Sequence, residues 1–573
     1  MEEKKRTGYP SVDKPWLQYY SEEAINAKLP ECTVYEWMYQ NNAALPDDIA
    51  LIYDNRRITY GELFKNIDQC ASAFRELGVC EKEIVSVALP NIPEMVYVVY
   101  ALNKIGAVAN MIHPLAGKNE LVAYLKETNS RVAVLLDKTY ELLKDALDSA
   151  CSIEHVVIAS PAQSLVHIKR WIYNACSPVF PLPADRRLIS WPDFIRAQLP
   201  IPPTCTADSS ATALMVHTGG TTGEPKGVML TNGGINSIIW QMNVTFAPKR
   251  QERVLTVLPP FIGYGIINSL LEPLTLGVTV VLIPMYDAKK QGRYFINYRP
   301  QHVLSIPAYG EELVRYRFLK GKDLSFLNLA FTGGDGMNEK EEQEINDFLR
   351  SHKVRNCLGK GLGCTEMGSC TTVAFGDCNR IGNVGIPLVK NHCKIVDPET
   401  GAEQPYNTDG EICFAGPSLM LGYYNNRIAT DQMIHIHPDG VRWIHTGDTG
   451  CITEDGILYV RGRMKRIMIT KGADGIPTKL FPDRIEKVIL QHTAVDSCCV
   501  VALPDTARIN MPMAAIVLKQ TDESADEIIR QIRQACQSNL PAYMVPETIR
   551  CLPALPRTTI GKIDYRALER MAN

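Results

Sequence analysis

A chain of 573 residues, 46% hydrophobic and 21% charged, has the composition of a soluble globular protein and the length for roughly three or four folding units. Its formal net charge of -3 gives no basic field, which excludes nucleic acid as a main partner, since phosphate-backbone binding leaves a clustered basic footprint. The 17 cysteines are scattered without a CxxC pair and read as reduced, mostly buried thiols rather than a disulfide or zinc framework.

The N-terminus MEEKKRTGYPSVDKP is charged and lacks the apolar stretch of a signal peptide, so the expected location is the cytoplasm. From Thr59 the pattern alternates. YGELFKNIDQCASAFRELG predicts an amphipathic helix, IVSVALP a strand and PEMVYVVYALNKIG a second helix, whose apolar run is far short of the ~20 residues a membrane span needs. Val132–Leu136, His155–Ala159, Val278–Ile283 and His302–Pro307 read as buried strands, for which one twisted, mainly parallel sheet is the simplest home. Between Ser160 and Pro203 the rhythm lapses around SLVHIKRWIYNA. There Leu165, Ile168, Trp171 and Ile172 share a helical face, which suits either a packing helix within an insertion or a weak contact with a membrane surface.

ALMVH then predicts a strand running into TGGTTGEPKG, Thr218 to Gly227. Glycines, hydroxyls and Lys226 expose N–H groups and an ammonium to an anion, and phosphate is the natural guest. A Walker A loop is excluded because Lys226 follows Pro225 and no Ser or Thr follows it. Taken alone, the loop also fits an ordinary surface turn. After Pro387, TDGEICFAGPSLMLGYY and EDGILYVRGRMK predict a β-rich subdomain. The last hundred or so residues carry their own α/β pattern and are long enough for a separate small domain.

Five motifs in order give the loop its company. Thr218-Gly219-Gly220-Thr221-Thr222-Gly223-Glu224-Pro225-Lys226-Gly227 resembles the phosphate loop [ST]SGTTGxPKG of the acyl-adenylate-forming (AMP-binding) enzymes, with Gly219 in place of serine as in fatty-acid CoA ligases of that family. LGKGLGCTE resembles QGYGxTE, WIHTGDTG resembles W(Y/F)xTGD, RGRMKRIMI resembles GRxKxxI, and LPRTTIGKIDYRAL resembles LPKTxxGKIxRRxL. The resemblance implies an α/β fold: a large N-terminal domain of α/β layers with a β-rich subdomain, residues 1–464, and a small mobile C-terminal α+β domain, residues 465–573.

It further implies the use of ATP, magnesium and coenzyme A on a small-molecule carboxylic acid. Thr218, Gly219, Gly220, Thr221, Thr222, Gly223 and Lys226 would cradle the departing pyrophosphate. Thr365 would contact phosphate and Glu366 would hold magnesium. Asp448 would bind the ribose hydroxyls with Arg463 near them, and Gly361, Leu362 and Gly363 would border the nucleotide. Thr332 to Gly336 corresponds to the family's adenine turn SGGAPL, which makes Gly334 and Asp335 candidates while Asp335 and Gly336 depart from the pattern. Lys465 would be the hinge and Lys562 the catalytic lysine of the first step.

The acyl pocket corresponds to LPPFIGYGI, where Ile262, Gly263, Tyr264 and Gly265 stand. No acidic residue is present there to pair with an amino acid, and Gly263 and Gly265 are read as leaving space. A medium- or long-chain fatty acid is therefore expected, with an aromatic or arylalkanoic acid as the alternative. Ile262 replaces the histidine, and Leu362 the tyrosine, of many relatives. KGADGIPTKLFPDRIE, longer than the family's GxxIxPxEIE and with Arg484 where glutamate is usual, makes the thioester step less secure than adenylation. Two other readings stand: an enzyme loading a separate carrier protein, and a non-catalytic nucleotide or acyl sensor. The sequence gives no oligomeric state.

Overall fold

A computed structural model describes residues 6–139, 152–166, 169–171, 173, 185–196, 199–206, 208–218, 226–284, 286–466, 468–471, 477–480, 482–505, 509–521, 523–557 and 563–572. The predicted strands divide between two seven-stranded sheets instead of joining one. Ile84–Ala88, Val108–Met111, Val132–Leu136, His155–Ala159, Leu188–Ser190 and Thr212–His217 run parallel in the first, whose edge strand Gly227–Thr231 pairs antiparallel with Thr212–His217. The second orders Gly359–Lys360, Leu329–Thr332, His302–Ser305, Arg253–Thr256, Thr279–Leu282, Ile49–Tyr53 and Arg56–Thr59, parallel except for the last pair.

Both sheets share one core because helices lie between them. The helix Tyr60–Glu76 starts on a capping box, in which the Thr59 hydroxyl accepts from Glu62 N–H and the Glu62 carboxylate accepts from Thr59 N–H. Its stripe Leu63, Ile67, Cys70 and Phe74 is buried with the all-buried helix Pro93–Lys104 and with residues of both sheets such as Val85, Val134, Ile52 and Val281. Several polar groups inside this layer are paired, as burial favours, although the Tyr97 and Tyr100 hydroxyls have no hydrogen-bond partner among the described residues. Asn103 donates to Asn232 and accepts from Tyr35 N–H, Lys104 meets Asp68, and Ser164 donates to Glu94 at 2.6 Å. Burial pushes the Glu94 carboxyl up to about 7.

The β-rich subdomain is a five-stranded antiparallel sheet of His392–Val396, Gly410–Ala415, Arg442–Ile452, Ile434–Ile436 and Leu458–Arg463. Beyond it, Val495–Asp505, Ile509–Leu518 and Thr548–Cys551 form a three-stranded sheet covered by helices Pro482–Leu490 and Ala525–Asn539, with a core of its own around Leu480, Ile485, Ile516, Ile528 and Ile532. The described cysteines are free thiols. Among the described residues, no helix is long and apolar enough to cross a membrane. In SLVHIKRWIYNA the expected common face splits. Leu165 packs on the core and Trp171 is 73% exposed, while Ile168 and Ile172 lie outside the described residues.

Candidate active site

The glycine-rich loop joins two antiparallel strands, so it caps a hairpin rather than leading into a helix as a Walker loop does. Its ends are tied where Thr218 N–H donates to the Lys226 carbonyl at 3.1 Å. Gly219, Gly220, Thr221, Thr222 and Gly223 lie outside the described residues. The edge strand after the loop is gripped by a distant segment: Met229 N–H donates to Gly422 O, Leu421 N–H to Met229 O and Tyr424 N–H to Gly227 O. Met420 N–H in turn donates to the Glu366 carbonyl at 2.8 Å.

This pairing brings three side chains together. The Lys226 ammonium stands 4.9 Å from the centre of the Tyr423 ring, within cation–π range, and the Tyr423 hydroxyl donates to Glu366 Oε1 at 2.6 Å. Burial and then the Glu366 carboxylate push the Tyr423 phenol up, so it stays a donor at any working pH. Glu366 is buried and sits with Thr365 in a short helical turn, Thr365–Met367. Tyr423 was not singled out by sequence reasoning. Its signal was the GYY turn at the end of a stretch read only as β-rich.

The preceding chain runs back on itself through bridges Lys360↔Ala374 and Gly363↔Cys370. The approach is so close that a Cβ on Gly361 would stand 2.2 Å from the Thr372 carbonyl and one on Gly363 2.1 Å from that of Ser369, which only glycine permits. Leu362 is pinned between them, its N–H on Thr372 Oγ1 at 2.9 Å and its carbonyl accepting from Thr371 N–H, while its side chain packs beside Cys364 in the apolar cluster of the β-rich subdomain. The turn Thr332 to Gly336 leaves the carboxyl end of the adjacent strand, where open α/β sheets bind ligands. There a Cβ on Gly333 would approach the Gly361 carbonyl at 3.2 Å, Gly334 adopts φ +82, and Asp335 is exposed with Gly336 N–H on its Oδ1.

Asp448 and Arg463 are cross-strand partners, and Arg463 Nε meets Asp448 Oδ1 at 2.9 Å. Cys364 links this pair to the first cluster: after burial, the carboxylates of Glu366 and Asp448 push its thiol up while Arg463 opposes them. Lys226, Tyr423 and Glu366 thus form one contact group and Asp448 and Arg463 another, with the Cys364 thiol under the charge of both.

The acyl segment differs from its expectation. A Cβ on Gly263 would fall 2.0 Å from the Gly368 carbonyl and one on Gly265 1.9 Å from that of Pro259. These glycines admit backbone, and the room they were expected to leave for an acyl chain is filled. The Tyr264 ring lies 4.0 Å from the Cβ positions of Gly333 and Gly334 and packs edge-on to Phe331. Ile262 is half-buried. In the consecutive helices Tyr264–Leu271 and Glu272–Thr275, Asn268 donates to Glu272 at 2.7 Å and meets Ser369, and burial pushes the Glu272 carboxyl up to about 8.

Lys465 lies in the turn Met464–Arg466. On its N-terminal side Arg463 holds Asp448; on its C-terminal side Arg466 meets Glu486 at 2.5 Å and stacks on the Tyr565 ring at 4.6 Å. Lys562 lies outside the described residues, between ends joined by the Arg557↔Ile563 bridge and an Asp564 N–H bond to the Pro556 carbonyl. Those ends approach the large domain, since burial chiefly, with a smaller push from Asp335, raises the Tyr565 phenol, and Arg557 opposes the burial-driven rise of Glu311. Arg315–Asp496 at 2.5 Å and Lys487–Glu339 at 2.9 Å also bridge the two parts. The KGADGIPTKLFPDRIE stretch lies partly outside the described residues, and Arg484 within it is exposed.

Residues 38–424 match the family model described as AMP-binding enzyme, and residues 484–562 match that of the AMP-binding enzyme C-terminal domain. The chain belongs to the AMP-binding enzyme family. It is 26% identical over 577 residues to a long-chain-fatty-acid–CoA ligase of Bacillus subtilis (strain 168), covering 97% of each chain. It is likewise 26% identical to a probable 4-coumarate–CoA ligase 1 of Dictyostelium discoideum, covering 96% of this chain and 97% of that one. The solved structure of the anthranilate CoA ligase AuaEII in complex with anthranoyl-AMP superposes with a TM-score of 0.80 at 23% identity, over 95% of this chain and 98% of that one. That likeness is one of fold.

Replacing Tyr423 by phenylalanine tests the clamp on Glu366. The bond stabilises the fold by about 1.5–3 kcal/mol, so its loss should lower the melting temperature modestly, and if the clamp positions Glu366 for the reaction, initial pyrophosphate release should fall as well. Unchanged kinetics would show that the clamp does nothing for turnover.

Proposed function

We propose that the protein is an AMP-forming acid–CoA ligase acting on a medium- or long-chain fatty acid. The observation that carries this reading is the Lys226–Tyr423–Glu366 group together with the Asp448–Arg463 pair, both acting by charge on the Cys364 thiol. They supply a cation, a buried hard oxygen donor and a carboxylate suited to ribose hydroxyls. The substrate carboxylate attacks the α-phosphorus of ATP, the bond from that phosphorus to the bridging oxygen breaks, and pyrophosphate leaves past Thr218 and Lys226. Asp448 accepts from the ribose hydroxyls and holds the nucleotide for in-line attack. Lys562 bridges the carboxylate and the α-phosphate, offsetting the repulsion of two anions.

The site suits magnesium and nucleotide. The second oxygen of Glu366 has no hydrogen-bond partner among the described residues, and the Thr332 hydroxyl at the adenine turn is buried without a partner. Glu366 would hold magnesium, which when bound supplies positive charge to the phosphates. In the second step the thiol of coenzyme A attacks the acyl carbonyl and AMP leaves. The same active site must then withdraw Lys562. The anchors at Arg463 and Arg466 on either side of Lys465 support a boundary after residue 464, with the segment 465–573 turning about that residue.

Two features favour an apolar acid. No acidic residue stands in Leu258–Ile266 to meet an ammonium, and the Glu272 carboxyl beyond it is buried, pushed up to about 8 by that burial, and already bonded by Asn268. Burial of an aliphatic chain gains about 0.8 kcal/mol per CH₂. An aryl acid is the second reading, favoured by the coumarate-ligase relative.

A panel of acids assayed for pyrophosphate release with and without coenzyme A separates these readings. Medium- or long-chain fatty acids should lead, with acyl-CoA formed. Adenylation without transfer to free coenzyme A would point to a carrier protein, and silence across the panel to a sensor. In the same assay Ile262→Trp should shift the preferred chain to shorter acids; an unchanged profile would remove Ile262 from the pocket.

A further inference from the structure

Three imidazoles meet on one face of the β-rich subdomain, away from the proposed acyl pocket. His435 lies in the strand Ile434–Ile436, and His437 follows one residue past its end. His435 pairs across the ladder with Trp443, and His445, two residues further on, shares that face. His437 Nε2 and His445 Nε2 are 2.9 Å apart, the His435 and His445 rings are 4.3 Å apart, and one ligand nitrogen from each of the three lies within 4.8 Å of the others.

A carboxylate sets the tautomer. Glu411 Oε2 is 2.7 Å from His445 Nδ1, so Nδ1–H donates to it and the lone pair of His445 sits on Nε2, facing His437. The other Glu411 oxygen accepts from Gly447 N–H at 3.0 Å, which locks the carboxylate in place. The neighbouring Lys394 ammonium is engaged elsewhere, 3.2 Å from Asp439 and over the Trp443 ring at 4.0 Å. His435 is exposed and the other two are half-buried, so an ion can reach all three from solvent.

We propose that His435, His437 and His445 bind one divalent transition-metal ion of the zinc class, with Glu411 as the carboxylate that orients His445. Neutral imidazole nitrogen is the donor such ions favour, and three histidines leave a fourth position for water or another ligand. Two nitrogens about 2.0–2.1 Å from one tetrahedral ion stand roughly 3.3 Å apart, so the present 2.9 Å separation needs only a small opening. Without an ion, His437 Nε2–H fills the gap by donating to His445. Binding requires that proton to shift to His437 Nδ1, a tautomer change with no net release. The ion would tie the strand Ile434–Ile436 and the turn after it to Arg442–Ile452, the strand that also carries Asp448.

The test is titration of chelator-stripped, full-length protein with Co²⁺, followed by its visible spectrum and by competition with Zn²⁺. The expected result is one equivalent taken up with the bands of a tetrahedral, nitrogen-coordinated ion, no thiolate charge-transfer band, and displacement by Zn²⁺. His437→Ala and the exposed His435→Gln should each abolish stoichiometric uptake while keeping wild-type melting and pyrophosphate release. Glu411→Gln should weaken binding by about 10–100-fold. Uptake only at millimolar Co²⁺, a thiolate band, or unchanged binding by His435→Gln would overturn the site.

Discussion

Lys562→Ala is expected to abolish adenylation while largely sparing thioester formation from supplied acyl-AMP. In the proposed first step the ammonium serves where a carboxylate approaches a phosphate, and loss of one such transition-state donor costs about 3–4 kcal/mol, or about 10²–10³ in rate. No second anion approaches the phosphorus in the thiol step, so the lysine has nothing to stabilise there. Pyrophosphate release from ATP and acid reads the first step, and acyl-CoA formed from synthetic acyl-AMP reads the second. Equal loss of both would show that Lys562 serves binding or folding instead.

Glu366→Gln carries the next largest effect. The carboxylate is buried, clamped by Tyr423 and placed beside Lys226 through that ring. An amide keeps the shape and can still accept from Tyr423, but it loses the charge that attracts a hard cation. Pyrophosphate release should fall by about two orders of magnitude at a fixed magnesium concentration and be recovered in part by raising it. The melting temperature should stay within a few degrees, because the accepting oxygen and the volume are retained. A proportional loss at every magnesium concentration would remove Glu366 from the metal site.

Local pattern was a good guide to local structure. Apolar runs flanked by turns became strands at Val132–Leu136 and His155–Ala159, and the stripe and cap of Tyr60–Glu76 predicted its helix. What spacing could not give was which strands share a sheet. Val278–Ile283 and His302–Pro307 read like Val132–Leu136, yet their core strands, Thr279–Leu282 and His302–Ser305, lie in the other sheet, because pairing is decided by contacts between distant segments.

The same cause hid Tyr423. Its role depends on the pairing of Val228 with Tyr423 and on Met420 reaching the Glu366 carbonyl, none of it local. Asp448 and Arg463 could be named because motifs carried them, and their cross-strand contact joins two of those motifs. Gly263 and Gly265 were misread because a glycine in sequence signals closeness without saying to what. Here the close partners are the Gly368 and Pro259 carbonyls. The histidine face escaped notice because HIH is unremarkable until His445 and Glu411 arrive from neighbouring strands.

In the proposed first step the acid's carboxylate attacks the α-phosphorus of ATP. An acid turned over in the panel, labelled with oxygen-18 in its carboxylate, is converted with ATP, magnesium and coenzyme A, and the phosphate-containing products are analysed by mass. The expected result is one labelled oxygen in AMP and none in pyrophosphate. Label in orthophosphate together with ADP would contradict it, since that places the attack on the γ-phosphorus.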